Sequence, residues 1–266
     1  MPNTAVANVP EIATPPISPG QAQVSAATLA QQMQGAIQAI SPGTTAGIDV
    51  VDMRTGDTVA DLNSGQQFYT ASVVKLLIAI DALKSQNWQP DPGTSGQIQQ
   101  MLSTSDDDIA DDLWVQNGSD DIVNRMIGLI GLSGTTAPGD DGEWGETLTT
   151  PRDVVTIYQY IENSVPEPSR DLIMNALRGA TATAADGTNQ YFGIPDAFPG
   201  YTWAVKQGWM DMDASTTLDT TGLVGPSFDP LRYAVVVLST QPAGTNWTVG
   251  GAALTAGVAL LHVVMY

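Results

Sequence analysis

The chain has 266 residues, with 28 acidic against 9 basic side chains and a formal charge of −19. That balance repels phosphate backbones and anionic lipid, so it argues against nucleic-acid binding and electrostatic docking on membranes. There is no cysteine and a single histidine, His262. Disulfides, thiolate metal sites and cysteine nucleophiles are thereby excluded, and a Ser-His-Asp triad or multi-histidine zinc site has almost no material.

Residues 1–23 are rich in proline, alanine and small polar side chains without hydrophobic periodicity, and read as an extended tether. They contain no basic stretch followed by an apolar run, so they do not read as a signal peptide. No segment approaches the roughly 18 continuous apolar residues of a membrane span. From Ser25 the pattern turns helical, with Leu29, Met33, Ile37 and Ile40 on one face behind a serine N-cap. "AGIDVVDMRTGDTVADLN" then predicts a β-hairpin turning around Arg54-Thr55-Gly56-Asp57. "SVVKLLIAIDALKSQ" predicts a strongly apolar, buried helix. The middle is helical and acidic, with helices near 95–103, 107–115, 119–130, 151–163 and 168–178, and an exposed loop over 139–150. "YTWAVKQGW", "TTLDTTGLVG" and "LRYAVVVLST" predict three strands, and an apolar helix from Thr248 to Met265 closes the chain. This order of elements predicts an α/β sandwich with a helical insertion. Residues 24–85 and 200–266 would form the α/β lobe, and 86–199 the helical lobe.

The lysines are Lys75, Lys84 and Lys206. With the histidine four residues from the C-terminus, a lysine is the natural base for activating a hydroxyl. Lys75 follows Ser72 by three positions, which on a helix brings the two side chains to one face. A lysine serves as a base only when burial or a neighbouring cation lowers its pKa towards neutrality. Alone, the pair equally describes an N-cap serine followed by a lysine lying along the surface. Two further strings stand downstream: Ser105-Asp106-Asp107 in the helical block, and Lys206-Gln207-Gly208 at the end of a predicted strand, followed by Trp209.

In order, S-x-x-K, S-D-x and K-x-G resemble the signature of class A β-lactamases and penicillin-binding proteins, S-x-x-K, S-D-N and K-T-G. The hairpin and helix of 46–79, "TTPRDVVTIYQYI" and "RYAVVVLSTQP" resemble the same family, so the likeness covers roughly 25–266. It implies a five-stranded antiparallel sheet flanked by N- and C-terminal helices, with an all-helical insertion lobe. It further implies Ser72 as acyl-accepting nucleophile, Lys75 as its proton acceptor, and Ser105 as relay to the leaving nitrogen. Lys206 would attract a substrate carboxylate and hold down the pKa of Lys75. The backbone N–H groups of Ser72 and Trp209 would form the oxyanion hole. Asp107, Gln207, Gly208 and Trp209 take the substrate-binding positions.

Three departures stand out. Asp107 replaces an amide with a carboxylate, which donates no hydrogen bond when ionised and raises the pKa of a neighbouring lysine. Gln207 replaces a compact hydroxyl. The stretch "DDGEWGETLTTP" lacks the E-x-x-L-N pattern that activates water in class A enzymes, and nothing in its spacing directs Glu143 or Glu146 to the site.

The expectation is therefore a serine hydrolase of β-lactamase or penicillin-binding type. It would be acylated at Ser72 by β-lactams or D-alanyl-type amides and esters, and deacylate slowly. The alternative is a catalytically silent module that keeps the fold to bind cell wall or a partner. The expected protein is a monomer, secreted or at the cell surface, with its signal sequence outside this chain. Its partner is a small-molecule or peptidoglycan-type substrate, not nucleic acid, and it calls for no metal and no cofactor. The aspartates 106, 107, 108, 111 and 112 lack the order of a calcium loop and read as an acidic helix start. Trp203, Trp209 and Trp247 are candidate groove edges, and His262 reads as structural.

Overall fold

A computed structural model describes residues 25–265; the tether expected over 1–23 lies outside them. Helix α1, Ala26–Ile40, starts at Ser25, whose hydroxyl accepts the Thr28 N–H at 3.2 Å. It buries Leu29, Met33 and Ile37, but Ile40 in its last position is 41% exposed and leaves the expected apolar face. Strands β1, Thr45–Asp52, and β2, Thr58–Leu62, form the predicted hairpin, with Ile48 opposite Leu62 and Val50 opposite Ala60. A two-residue strand β3, Phe68–Tyr69, follows. A 3-10 turn, Ala71–Val74, leads into α2, Lys75–Ser85. Every residue of α2 from Lys75 to Leu83 is buried, the mark of a helix with protein on all sides. Its Asp81 is held by a bidentate contact from Arg125 at 2.8 and 2.9 Å.

Helices α3, Pro92–Thr104, α4, Asp107–Gln116, and α5, Asp121–Ile130, build the helical block. The segment expected as an exposed loop is in part structured and buried. Its strand β4, Leu148–Thr149, pairs with β3, and a 3-10 turn spans Trp144–Glu146. Behind it, α6, Pro151–Ser164, begins on a Thr150 cap. The buried Asp153 of α6 accepts hydrogen bonds from Gly134 N (2.8 Å), Thr135 Oγ1 (2.7 Å) and Ser133 N (3.3 Å), tying down the loop that enters β4. Helix α7, Glu167–Arg178, and the short α8, Ile194–Ala197, precede the sheet strands.

Strands β5, Thr202–Asp211, β6, Ser215–Gly225, and β7, Tyr233–Pro242, complete a five-stranded antiparallel sheet in the order β2-β1-β7-β6-β5. Helix α9, Trp247–Ala259, and a 3-10 turn, Leu260–Val263, end the fold. Strand β7 reads as an unbroken apolar run because both of its faces are covered. Val235 and Val237 pack with α1 and α9, whereas Ala234, Val236 and Leu238 pack with the helical block. The sheet is thus a partition, and β5 at its edge borders the helical block along one side.

Candidate active site

Ser72 lies in the 3-10 turn at the head of α2, where Ala71 has φ of +41°. A non-glycine residue in the left-handed region costs on the order of 1 kcal/mol and persists only where the surroundings over-determine it. Here they do. Thr70 N donates to Thr147 O at 2.9 Å, Thr70 Oγ1 donates to Gly145 O at 3.4 Å, and β5 presses on the turn from the other side. That approach requires Gly208, since a Cβ there would sit 2.7 Å from Thr70 O.

Lys75, one helical turn on, places Nζ 3.0 Å from Ser72 Oγ. The same nitrogen donates to Ser105 O at 2.8 Å, lies 3.4 Å from Ser105 Oγ and forms an ion pair with Asp107. Ser105 supplies both groups because it breaks the chain between α3 and α4 in a left-handed conformation, φ 53° and ψ 38°, which turns its carbonyl and hydroxyl inward together. Lys206 of β5 reaches the same Ser105 Oγ at 2.8 Å and spends a second proton on its neighbour Gln207 O at 2.9 Å. The two amines thus meet at one hydroxyl, beside a third group that is itself an alcohol.

Both lysines are fully buried. Burial lowers the pKa of Lys75, against the opposing pull of Asp107, Asp106 and Asp186. Burial, followed by the charge of Lys75, pushes Lys206 well below the ordinary lysine value, again against Asp107 and Asp186.

Ser72 opens onto a cleft of about 360 Å³, lined also by Asp107, Asp111, Glu143, Trp144 and Trp209. The lysine nitrogens lie beneath this lining. Of the expected substrate-binding positions, Asp107 and Trp209 line the cleft. Gly208 serves the packing of β5 on the nucleophile turn. Gln207 is turned away, which corrects the expectation for it. Its amide donates to Phe192 O at 2.6 Å and Gln190 O at 3.2 Å, and its carbonyl accepts Thr221 N at 3.3 Å. Glu143 lines the cleft; Glu146, in the neighbouring 3-10 turn, is not among the lining residues.

Two residues that the sequence did not single out belong here. Trp144 lays its ring 4.8 Å from Lys75 Nζ and donates its indole N–H to Asp111 at 2.7 Å. Asp186 accepts the Trp209 indole N–H at 2.9 Å. Burial pushes the Asp186 carboxyl up, but the Thr188 and Trp209 hydrogen bonds and the Lys75 charge together hold it below the usual value. The other tryptophans lie elsewhere: Trp203 packs edge-on against Tyr191, and Trp247 lines a separate groove with Phe192. His262 contacts Ala197 O at 2.7 Å and stacks near Phe198, away from the cleft. Among the described residues, no group of three or more His, Asp or Glu is arranged to hold a metal ion.

A serine at the head of a central buried helix, set against the edge strand of such a sheet, defines a β-lactamase-like protein. Comparison with known proteins agrees. A family described as "Beta-lactamase enzyme family" matches residues 28–87. Proteins named "Putative lipoprotein LppW" from Mycobacterium tuberculosis and Mycobacterium bovis are 35% identical over 217 residues, spanning 79% of this chain and 68% of theirs. Among solved structures, a class A beta-lactamase from Mycobacterium abscessus superposes with a TM-score of 0.71 at 17% identity, over 88% of this chain and 98% of that one. TLA-3 extended-spectrum beta-lactamase gives 0.72 at 15%, over 88% and 99%. PBP-A gives 0.69 at 19%, over 88% and 94%. The chain belongs to the β-lactamase/penicillin-binding superfamily.

Proposed function

We propose that the protein is a serine acyltransferase or hydrolase of this superfamily, acylated at Ser72 by β-lactams or D-alanyl-type amides and esters. The observation that carries this reading is the 3.0 Å contact from Lys75 Nζ to Ser72 Oγ, with Ser105 Oγ bridging Lys75 to Lys206. Neutral Lys75 takes the Ser72 proton as Oγ attacks the carbonyl carbon. The carbonyl π pair moves to oxygen and, as it returns, the bond to the leaving nitrogen or oxygen breaks. The proton passes from Lys75 through the Ser105 hydroxyl to the leaving group, so charge balances without a histidine. Lys206 keeps Ser105 oriented through its 2.8 Å contact to Oγ, and burial favours the neutral form of Lys75. The loop over 131–150 carries no E-x-x-L-N pattern to activate water, so the acyl-enzyme is long-lived. A relative named as a lipoprotein supports a cell-envelope location.

The Lys75–Asp107 ion pair favours a second reading, a silent binding module, because a protonated lysine cannot accept the serine proton. Incubation with a fluorescent penicillin and a chromogenic cephalosporin, followed by intact mass, separates them. A stable adduct with little colour change, lost in Ser72→Ala, supports acylation. Absence of both adduct and colour supports the silent module.

A further inference from the structure

Lys206 is the group that the family resemblance assigns to a substrate carboxylate, yet here it is fully buried and its nitrogen is engaged by Ser105 Oγ and Gln207 O. Among the described residues, no lysine or arginine lines the cleft. The charged side chains that do are Asp107, Asp111 and Glu143, in a protein of formal charge −19. Asp107 is balanced by Lys75, whereas Asp111 and Glu143 have no cation against them among the ion pairs of the described residues. Trp144, whose N–H is held by Asp111 at 2.7 Å, also lines the cleft, and its ring already stands 4.8 Å from the protein's own Lys75 nitrogen. An indole face next to a carboxylate is the combination that receives ammonium groups.

We infer that this cleft selects acyl donors bearing a positively charged amine, such as peptides with a diamino-acid side chain, over donors whose recognition depends on a carboxylate. Asp111 and Glu143 set that preference, with Trp144 supplying the aromatic surface. The inference rests on the acylation reading for its consequence in turnover, but its charge preference is measurable separately.

Two pairs of probes, each differing by one amine, test it. Ampicillin against benzylpenicillin reports acylation by intact mass. Nα-acetyl-L-lysyl-D-alanyl-D-alanine against its Nε-acetylated form reports binding to Ser72→Ala by calorimetry. The amine-bearing member of each pair is expected to be about ten-fold better at low salt. High salt and Glu143→Gln should both bring the ratio towards one. Adducts that form at equal rates, or faster without the amine, overturn the inference and leave acylation standing. No adduct from either penicillin overturns acylation, and the peptides then decide: a free-amine preference upholds the charge selection, and equal binding overturns it.

Discussion

Asp107 is the residue whose replacement most sharply separates a poised base from an arrested one. Its carboxylate forms an ion pair with Lys75, a fully buried lysine whose pKa burial already lowers. Two unit charges about 4 Å apart interact by about 1 kcal/mol in water and about 4 kcal/mol near a protein surface. The Asp107 side chain is 57% exposed, so solvent screening places the interaction towards the lower figure, about 1–2 kcal/mol. Removing it lowers the Lys75 pKa by about one pH unit. Asp107→Asn therefore raises the neutral fraction of Lys75, and with it the acylation rate, by about ten-fold at pH values well below both midpoints, the gain shrinking as pH approaches them. The amide also gains an N–H donor facing the cleft. Acylation by a fluorescent penicillin, measured against pH, should rise with pH in both proteins. The midpoint in the parent lies below the ordinary lysine value of 10.5, and in the variant about one unit lower still. A folded Asp107→Asn with the parent's rate and midpoint would refute Lys75 as the proton acceptor.

Other expectations follow from the packing. Gly208→Ala brings a methyl to 2.7 Å from Thr70 O and 3.2 Å from Val73 Cγ2, so it should cost about 1–3 kcal/mol by thermal unfolding and slow acylation as the turn shifts. Asp153→Ala removes the acceptor for three donors of 133–135. It should destabilise by about 3 kcal/mol and speed amide exchange at Gly134. Asp49, facing Asp61 across the β1–β2 ladder, has its pKa raised from 3.8 to about 6, chiefly by burial and then by Asp61, against Arg152. The folded state then holds a proton that the unfolded state releases, so stability falls as pH rises from about 4 to about 6. Asp49→Asn should abolish that slope and stabilise the protein at neutral pH by up to about 3 kcal/mol in denaturant titrations.

The readable parts of this molecule were those governed by a local period. Ser72 and Lys75 share a helical face by spacing alone, and the central sheet strands stand out through apolar runs and turn residues. The meeting of Lys206 with Ser105 is not local, and only the order of the three motifs hinted at it. Gln207 looks like a pocket residue only from its place in the motif; its amide is committed to the backbone of 190–192, a long-range contact that no local period announces. The Asp111–Trp144 and Asp186–Trp209 pairs join separate segments with no shared period, and the two-residue ladder of β3 and β4 is too short to leave a pattern. The clustered acids around Trp144 were the one available sign that the loop over 139–150 is more than a solvated connection.

Peptide mapping of penicillin-treated protein by mass spectrometry bears most directly on the nucleophile. The account predicts the added mass of one intact penicillin on the peptide containing Ser72. A label on any other residue, or none after prolonged exposure, would contradict it.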